Sequence, residues 1–142
     1  MNTELADLLR ELELKVKKVT TPNFVICEFN NQLELKVAYS HKRTGLYEGK
    51  WIGFNLKILN KEPDFLLARV DEEEGATDCY GAWYTDAITA TKVENGKIKS
   101  RHKPGVGPGG VPLIDFEVDL FAKGKLKIYQ ALLHGRRQNI LL

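Results

Sequence analysis

Leu5, Leu8, Leu9, Leu12 and Val16 recur at helical spacing with polar residues between them, so the pattern predicts a helix over residues 3–18 with a single apolar stripe. Thr3 is the expected N-cap. Glu4 and Asp7 follow in the first turn, where the helix dipole favours acids. Glu11 lies beside the stripe, at the edge of whatever the helix packs on. Pro22 breaks this period. From there the pattern becomes two short strands, residues 24–29 and 32–39, around Asn30-Asn31, a pair that tolerates positive φ and suits a two-residue type I′ turn. That register pairs Cys27 with Glu34, Val25 with Lys36 and Asn23 with Ala38. Cross-strand partners share a face, so Asn23, Glu34 and Lys36 are expected on one side, and Phe24, Ile26, Leu33, Leu35 and Val37 on the other. A three-residue turn would reverse the faces and bring Glu28 beside Glu34.

Residues 40–50, SHKRTGLYEGK, read as a polar loop, and 50–60 show no clean period. The run DFLLARVD at 64–71, bounded by Pro63 and an acidic stretch, suits a buried central strand. Residues 80–93 are expected as a further strand, with an Asn95-Gly96 turn into 97–100. The Gly/Pro-rich segment 103–112 is expected as a long loop. Residues 113–121 alternate, with Ile114, Phe116, Val118 and Leu120 on one side. Residues 122–125 are expected to turn this strand back into 126–133. That hairpin would set Asp115, Glu117 and Asp119 across from Lys125 and Lys127 as an ion-pair surface. The tail 134–142 ends apolar, which points to docking or an oligomer contact. ELELKV at 11–16 is echoed by LELKV at 33–37, one in a helical and one in a strand pattern, so the echo is read as chance.

The 142 residues, 43% apolar and 28% charged, fit one α/β domain spanning 1–142. No apolar run approaches the roughly 20 residues of a membrane span, and the first residues lack the character of a signal peptide. Cys27 and Cys79 form no CxxC pair, as expected for reduced thiols in a cytoplasmic protein. The net charge of +2 says little about nucleic acid, but its distribution says more. Acids gather at 71–78 and 115–119. Bases gather at His41, Lys42 and Arg43, at Lys97 to Lys103 and at His134 to Arg137, and a phosphate backbone responds to such local clusters.

Magnesium takes hard oxygen ligands in octahedral geometry, and a metal-dependent nuclease also needs a lysine near the attacking water. Period two places Glu34 and Lys36 on one side and leaves the Leu35 carbonyl edge-on between them. Pro22-Asn23, ten residues, then Glu34-Leu35-Lys36 resembles the PD-(D/E)xK signature of restriction-endonuclease-like nucleases. The resemblance covers residues 3–71. It implies a restriction-endonuclease-like core, with an N-terminal helix and a mixed central sheet followed by a β-rich C-terminal half. It also implies Mg²⁺- or Mn²⁺-dependent hydrolysis of double-stranded DNA by a homodimer or homotetramer of the restriction or homing type. Glu34, the Asn23 position and the Leu35 carbonyl would hold metal, Lys36 would serve the nucleophile, and Glu11 would support the site. His41, Lys42, Arg43, Lys99, Arg101, His102, Lys103, Arg136 and Arg137 would contact DNA. Asn23 stands where that family carries Asp, so either Glu28 substitutes or the chain is an inactivated variant, natural or engineered. The alternative is a non-catalytic β-rich binding module, or a phage or immunity-type inhibitor, recognising a protein or an anionic ligand. His41, His102 and His134 are too dispersed for zinc, and GVGPGG lacks the Gly-Lys-Ser/Thr of a P-loop.

Overall fold

The structure, a computed structural model, describes residues 1–55, 62–90, 100–103 and 113–141. Helix α1 runs Thr3–Glu11, capped by Asn2, whose side chain accepts from the Leu5 N–H at 2.8 Å. The helix is shorter than its apolar stripe suggests. Leu14 N–H returns to the Leu9 carbonyl (2.8 Å) and Glu13 N–H to that of Arg10 (3.0 Å), with Glu13 in the left-handed region at φ 59°. This is a Schellman stop with Glu where Gly is usual, sealed by buried Leu9 and Leu14. The β-branched run after it, Val16 and Val19 to Thr21, then forms strand β1, Lys15–Thr21.

Strands β2 (Phe24–Phe29) and β3 (Gln32–Lys42) follow. Asn30 and Asn31 take φ 45° and 70°, as a type I′ turn requires. Phe29 pairs with Gln32, but beyond a bulge Cys27 pairs with Leu35, Ile26 with Lys36, Val25 with Val37 and Phe24 with Ala38. One extra residue on β3 therefore shifts the register and exchanges the expected partners. β4 is Trp51–Asn55, β5 Phe65–Asp71 and β6 Thr77–Trp83. A six-stranded sheet orders β1-β2-β3-β5-β6-β9, where β9 is Ala122–Lys123. Among the described residues only β3 and β5 pair in parallel, Val37 with Phe65 through Lys42 with Val70; the other pairings of this sheet are antiparallel. A second sheet orders β4-β8-β7, with β7 at Ser100–Lys103 and β8 at Leu113–Glu117.

Two expected strands prove helical. The segment expected as one strand over 80–93 leaves the sheet at Trp83 and becomes α2, Tyr84–Ala90, and residues 91–93 lie outside the described set. The returning strand expected at 126–133 belongs to α3, Lys125–Leu141, which buries Ile128 and Leu132 at a spacing of four. Lys125 therefore meets Glu11 at 2.5 Å rather than an acid on β8. The Gly/Pro-rich 104–112 and the expected turn at 95–96 lie outside the described residues.

Three layers result. Odd-numbered β3 and β5 residues (Leu35, Val37, Tyr39, Phe65, Leu67) pack under α1 and α3 with Trp83, Ile128 and Leu132. Even-numbered residues (Ala38, Leu66, Ala68, Val70) pack against Ile52, Phe54 and Phe116 of the second sheet, with Phe121 and Ala87. Phe54, Phe116 and Phe121 form a triad with centroids 6.0–6.3 Å apart. Covered on both faces, β3 is buried continuously from Val37 to Ser40.

Candidate functional site

The shifted register decides where the expected site residues go. Tyr39 N–H reaches the Asn23 carbonyl at 2.8 Å, so Asn23 stands opposite Tyr39 at the open end of the hairpin. Glu34 is exposed beside its turn. The five steps along the strand from Glu34 to Tyr39 span roughly 17 Å. Lys36 lines a different cleft, with Glu62, Asp64 and Trp83, and its N–H donates to Asp64 Oδ2 at 2.8 Å. Leu35 pairs with Cys27 and its side chain is fully buried. Glu28 contacts Lys17 at 3.5 Å. Glu11, bound to Lys125, lines a third cleft of about 320 Å³ with Glu4, Asp7, Arg69 and Cys79. Asn23, Glu34, Lys36 and Glu11 are thus not brought together: Asn23 stands opposite Tyr39, far along β3 from Glu34, Lys36 borders the Asp64 cleft, and Glu11 is held by Lys125. A divalent ion does not fit these residues: the amide and the carboxylate lie at opposite ends of the hairpin. Among the described residues no group of three or more His, Cys, Asp or Glu is placed to hold a metal ion.

What Asn23 does meet is the far end of β3. β2 begins at Phe24 while β3 continues to Lys42, held there by β5 alone within its sheet. The open side is a cleft of about 380 Å³ bordered by Asn2, Asn23, His41, Lys42, Arg43 and Asn55, with Tyr39, Ser40 and Gly53 completing its lining. It lies at the carboxyl end of β3, one member of the parallel pair found among the described residues, and ligands of open α/β sheets commonly bind at strand carboxyl ends. Among the described residues, the cleft lining holds three basic side chains and no carboxylate.

The three bases differ. Arg43 is exposed. Burial holds the Lys42 pKa below its ordinary value, opposed by the nearby charge of Asp115, a buried residue of β8. Both reach the space over Gly53: a Cβ there would lie 2.6 Å from Asp115 Oδ1 and 3.2 Å from Lys42 Nζ. Ser40 Oγ donates to the Gly53 carbonyl at 2.7 Å, adding a second tie between the sheets. His41, 9% exposed, sets Nε2 2.7 Å from Asp71 Oδ2 and Nδ1 3.6 Å from Glu4 Oε2. Asp71 Oδ1 receives Arg69 Nε (3.3 Å) and Thr77 Oγ1 (3.1 Å). The His41 hydrogen bond, followed by those of Arg69 and Thr77, holds the Asp71 pKa low. Tyr39 Oη and His41 Nδ1 are buried without a hydrogen-bond partner among the described residues. Burial, only partly offset by Arg69, pushes the Tyr39 phenol up to about 12.

Of the other expected DNA contacts, Arg101, His102 and Lys103 lie on β7 and Arg136 and Arg137 on α3, with side chains outside the described set, as is all of Lys99. Glu4, Arg69 and Asp71 carried no sequence signal, because their meeting with His41 depends on the parallel β3–β5 register. Both thiols are free, and burial pushes Cys27 up to about 12. Among the described residues no helix is long and apolar enough to cross a membrane. Neither family models nor curated proteins nor solved structures yield a match to the chain.

Proposed function

We propose that the protein binds a phosphodiester backbone, that of DNA, in the cleft at the end of β3, with Arg43 as its main charged contact. The observation that carries this is the lining itself: three bases, three asparagines and two hydroxyls line the cleft, and the nearby carboxylates are paired, Glu4 and Asp71 with His41 and Asp115 with Lys42, which leaves the exposed Arg43 for an anion. The resemblance of the helix, hairpin and buried strand to a restriction-endonuclease-like core supports nucleic acid as the polymer. Neutral Asn23, where that family carries an acid, supports binding without metal-assisted cutting.

Asn23→Asp separates the two modes of action. In an anion-binding cleft the new carboxylate repels phosphate, and the Kd for a mixed-sequence duplex rises by about threefold to tenfold, with no cutting in Mg²⁺. Tighter metal-dependent binding or cleavage by this variant refutes the proposal. Arg43→Ala is expected to weaken binding about tenfold and to lower the slope of log K against log salt by about one, measured by fluorescence anisotropy.

A second reading keeps the cutting function and moves it. Lys36 shares a cleft of about 440 Å³ with Glu62 and Asp64, the combination of a lysine and two carboxylates that metal-dependent hydrolysis uses. It predicts Mg²⁺-dependent nicking by the unmodified chain, abolished by Asp64→Asn. Absence of nicking at any metal concentration removes it.

A further inference from the structure

We infer that the cleft is regulated by protons, through a clasp in which His41, held between Glu4 of α1 and Asp71 of β5, seats the start of α1 and adds positive charge to the cleft in its imidazolium form. The inference rests on reading the cleft as a phosphodiester site.

Hydrogen-bond geometry leads to it. Both oxygens of Asp71 are engaged, one by Arg69 and Thr77 and the other by His41 Nε2, so Nε2 carries the hydrogen. A neutral ring then presents its Nδ1 lone pair to Glu4 at 3.6 Å, buried and unsatisfied, an unfavourable arrangement on both counts. A second proton converts that position into an N–H aimed at a carboxylate. The charges agree. Facing the ring are Glu4 from α1, Asp71 from β5 and Tyr39 of β3, with Arg69 of β5 bound to both acids, its Nη1 3.9 Å from Glu4; Lys42 leaves β3 on the opposite face, toward Gly53. Lys42 is matched by Asp115 and Arg43 is exposed, so within the clasp two carboxylates face one guanidinium unless His41 is charged. The clasp reaches the ligand site directly. Glu4 lies two residues from Asn2, which caps α1 and forms a wall of the cleft, and His41 itself lines it. Histidine alone among these groups changes charge between about pH 5 and 8.

The test uses the whole chain and a duplex without terminal phosphates, whose phosphodiesters do not titrate in this range. Binding is expected to be about threefold to tenfold tighter at pH 5.5 than at pH 8 at fixed salt. His41→Gln should abolish that difference, which separates His41 from His102 and His134. In parallel, NMR follows the amides at the start of α1 between pH 8 and pH 5.5 in the unmodified chain and in Glu4→Gln, a change at a half-exposed side chain that leaves the core intact. Because the clasp seats that end of the helix through Glu4, these amides should respond to pH in the unmodified chain and not in Glu4→Gln. Binding that is pH-independent, or equally pH-dependent in His41→Gln, overturns the clasp. So does an equal amide response in both chains, and that result is obtained whether or not DNA binds. Failure to bind DNA at either pH, with the amide response confined to the unmodified chain, instead removes the phosphodiester reading and leaves the clasp standing.

Discussion

Two glycines show how single side chains hold the layers in place. Gly53 leaves room for Lys42 and Asp115 to approach each other, and an added methyl would meet the Asp115 carboxylate at 2.6 Å. Gly53→Ala is expected to lower unfolding stability by about 1–3 kcal/mol, read as a lower urea midpoint at constant m value. At Gly135 an added Cβ would overlap the Trp83 indole, whose Nε1–H donates to the Ala131 carbonyl at 2.7 Å. Gly135→Ala should therefore lift α3 and shift tryptophan emission. Neither requirement can be read from the sequence, where both glycines look like loop residues. The Asn30-Asn31 turn could be read, because left-handed φ at two successive residues leaves few alternatives to Asn and Gly. Asn31→Gly, at φ 70°, should raise stability by about 0.5 kcal/mol.

Among the elements, legibility followed how local the deciding interaction is. The DFLLARVD strand was plain because burial on both faces leaves an unbroken apolar run. The hairpin was plain in its turn and misread in its faces, since the bulge that shifts the register leaves no composition signal around Leu33 and Glu34. The end of α1 was obscured because Val16 continues the helical stripe by coincidence, while the stop uses Glu13 rather than glycine. α3 was read as a strand because Leu126, Ile128 and Leu132 also satisfy a period of two. The two readings differ in a measurable way: a strand would put all three residues on one face, whereas the helix buries Ile128 and Leu132 and leaves Leu126 70% exposed. Leu132→Ala should cost about 2–5 kcal/mol and Leu126→Ala less than about 0.5, measured by denaturant unfolding.

For the molecule as a whole, the sequence conveyed the α/β class and the N-terminal helix, but not the parallel β3–β5 contact that sets Asp71 and Arg69 behind His41. That contact brings residues about 30 positions apart into one charge network, with a consequence for acid stability. Asp71 has a lowered pKa in the folded state. Its contribution is therefore complete above its unfolded value of about 3.9 and declines as pH falls through the lower folded value. Unfolding midpoints of the unmodified chain should fall over this acidic window more steeply than those of Asp71→Asn.

The cleft draws its walls from different layers: Asn2 and Asn23 from α1 and the hairpin, Gly53 and Asn55 from β4. Between those layers lies the Phe54–Phe116–Phe121 triad. An occupant spanning both walls would act as a strut, and the slow breathing of one sheet against the other would stiffen on loading. The expected signature is slower amide hydrogen exchange in β8, whose residues do not line the cleft, when DNA is added. Exchange slowed at the cleft rim alone would mean that the two layers move independently of what the cleft holds.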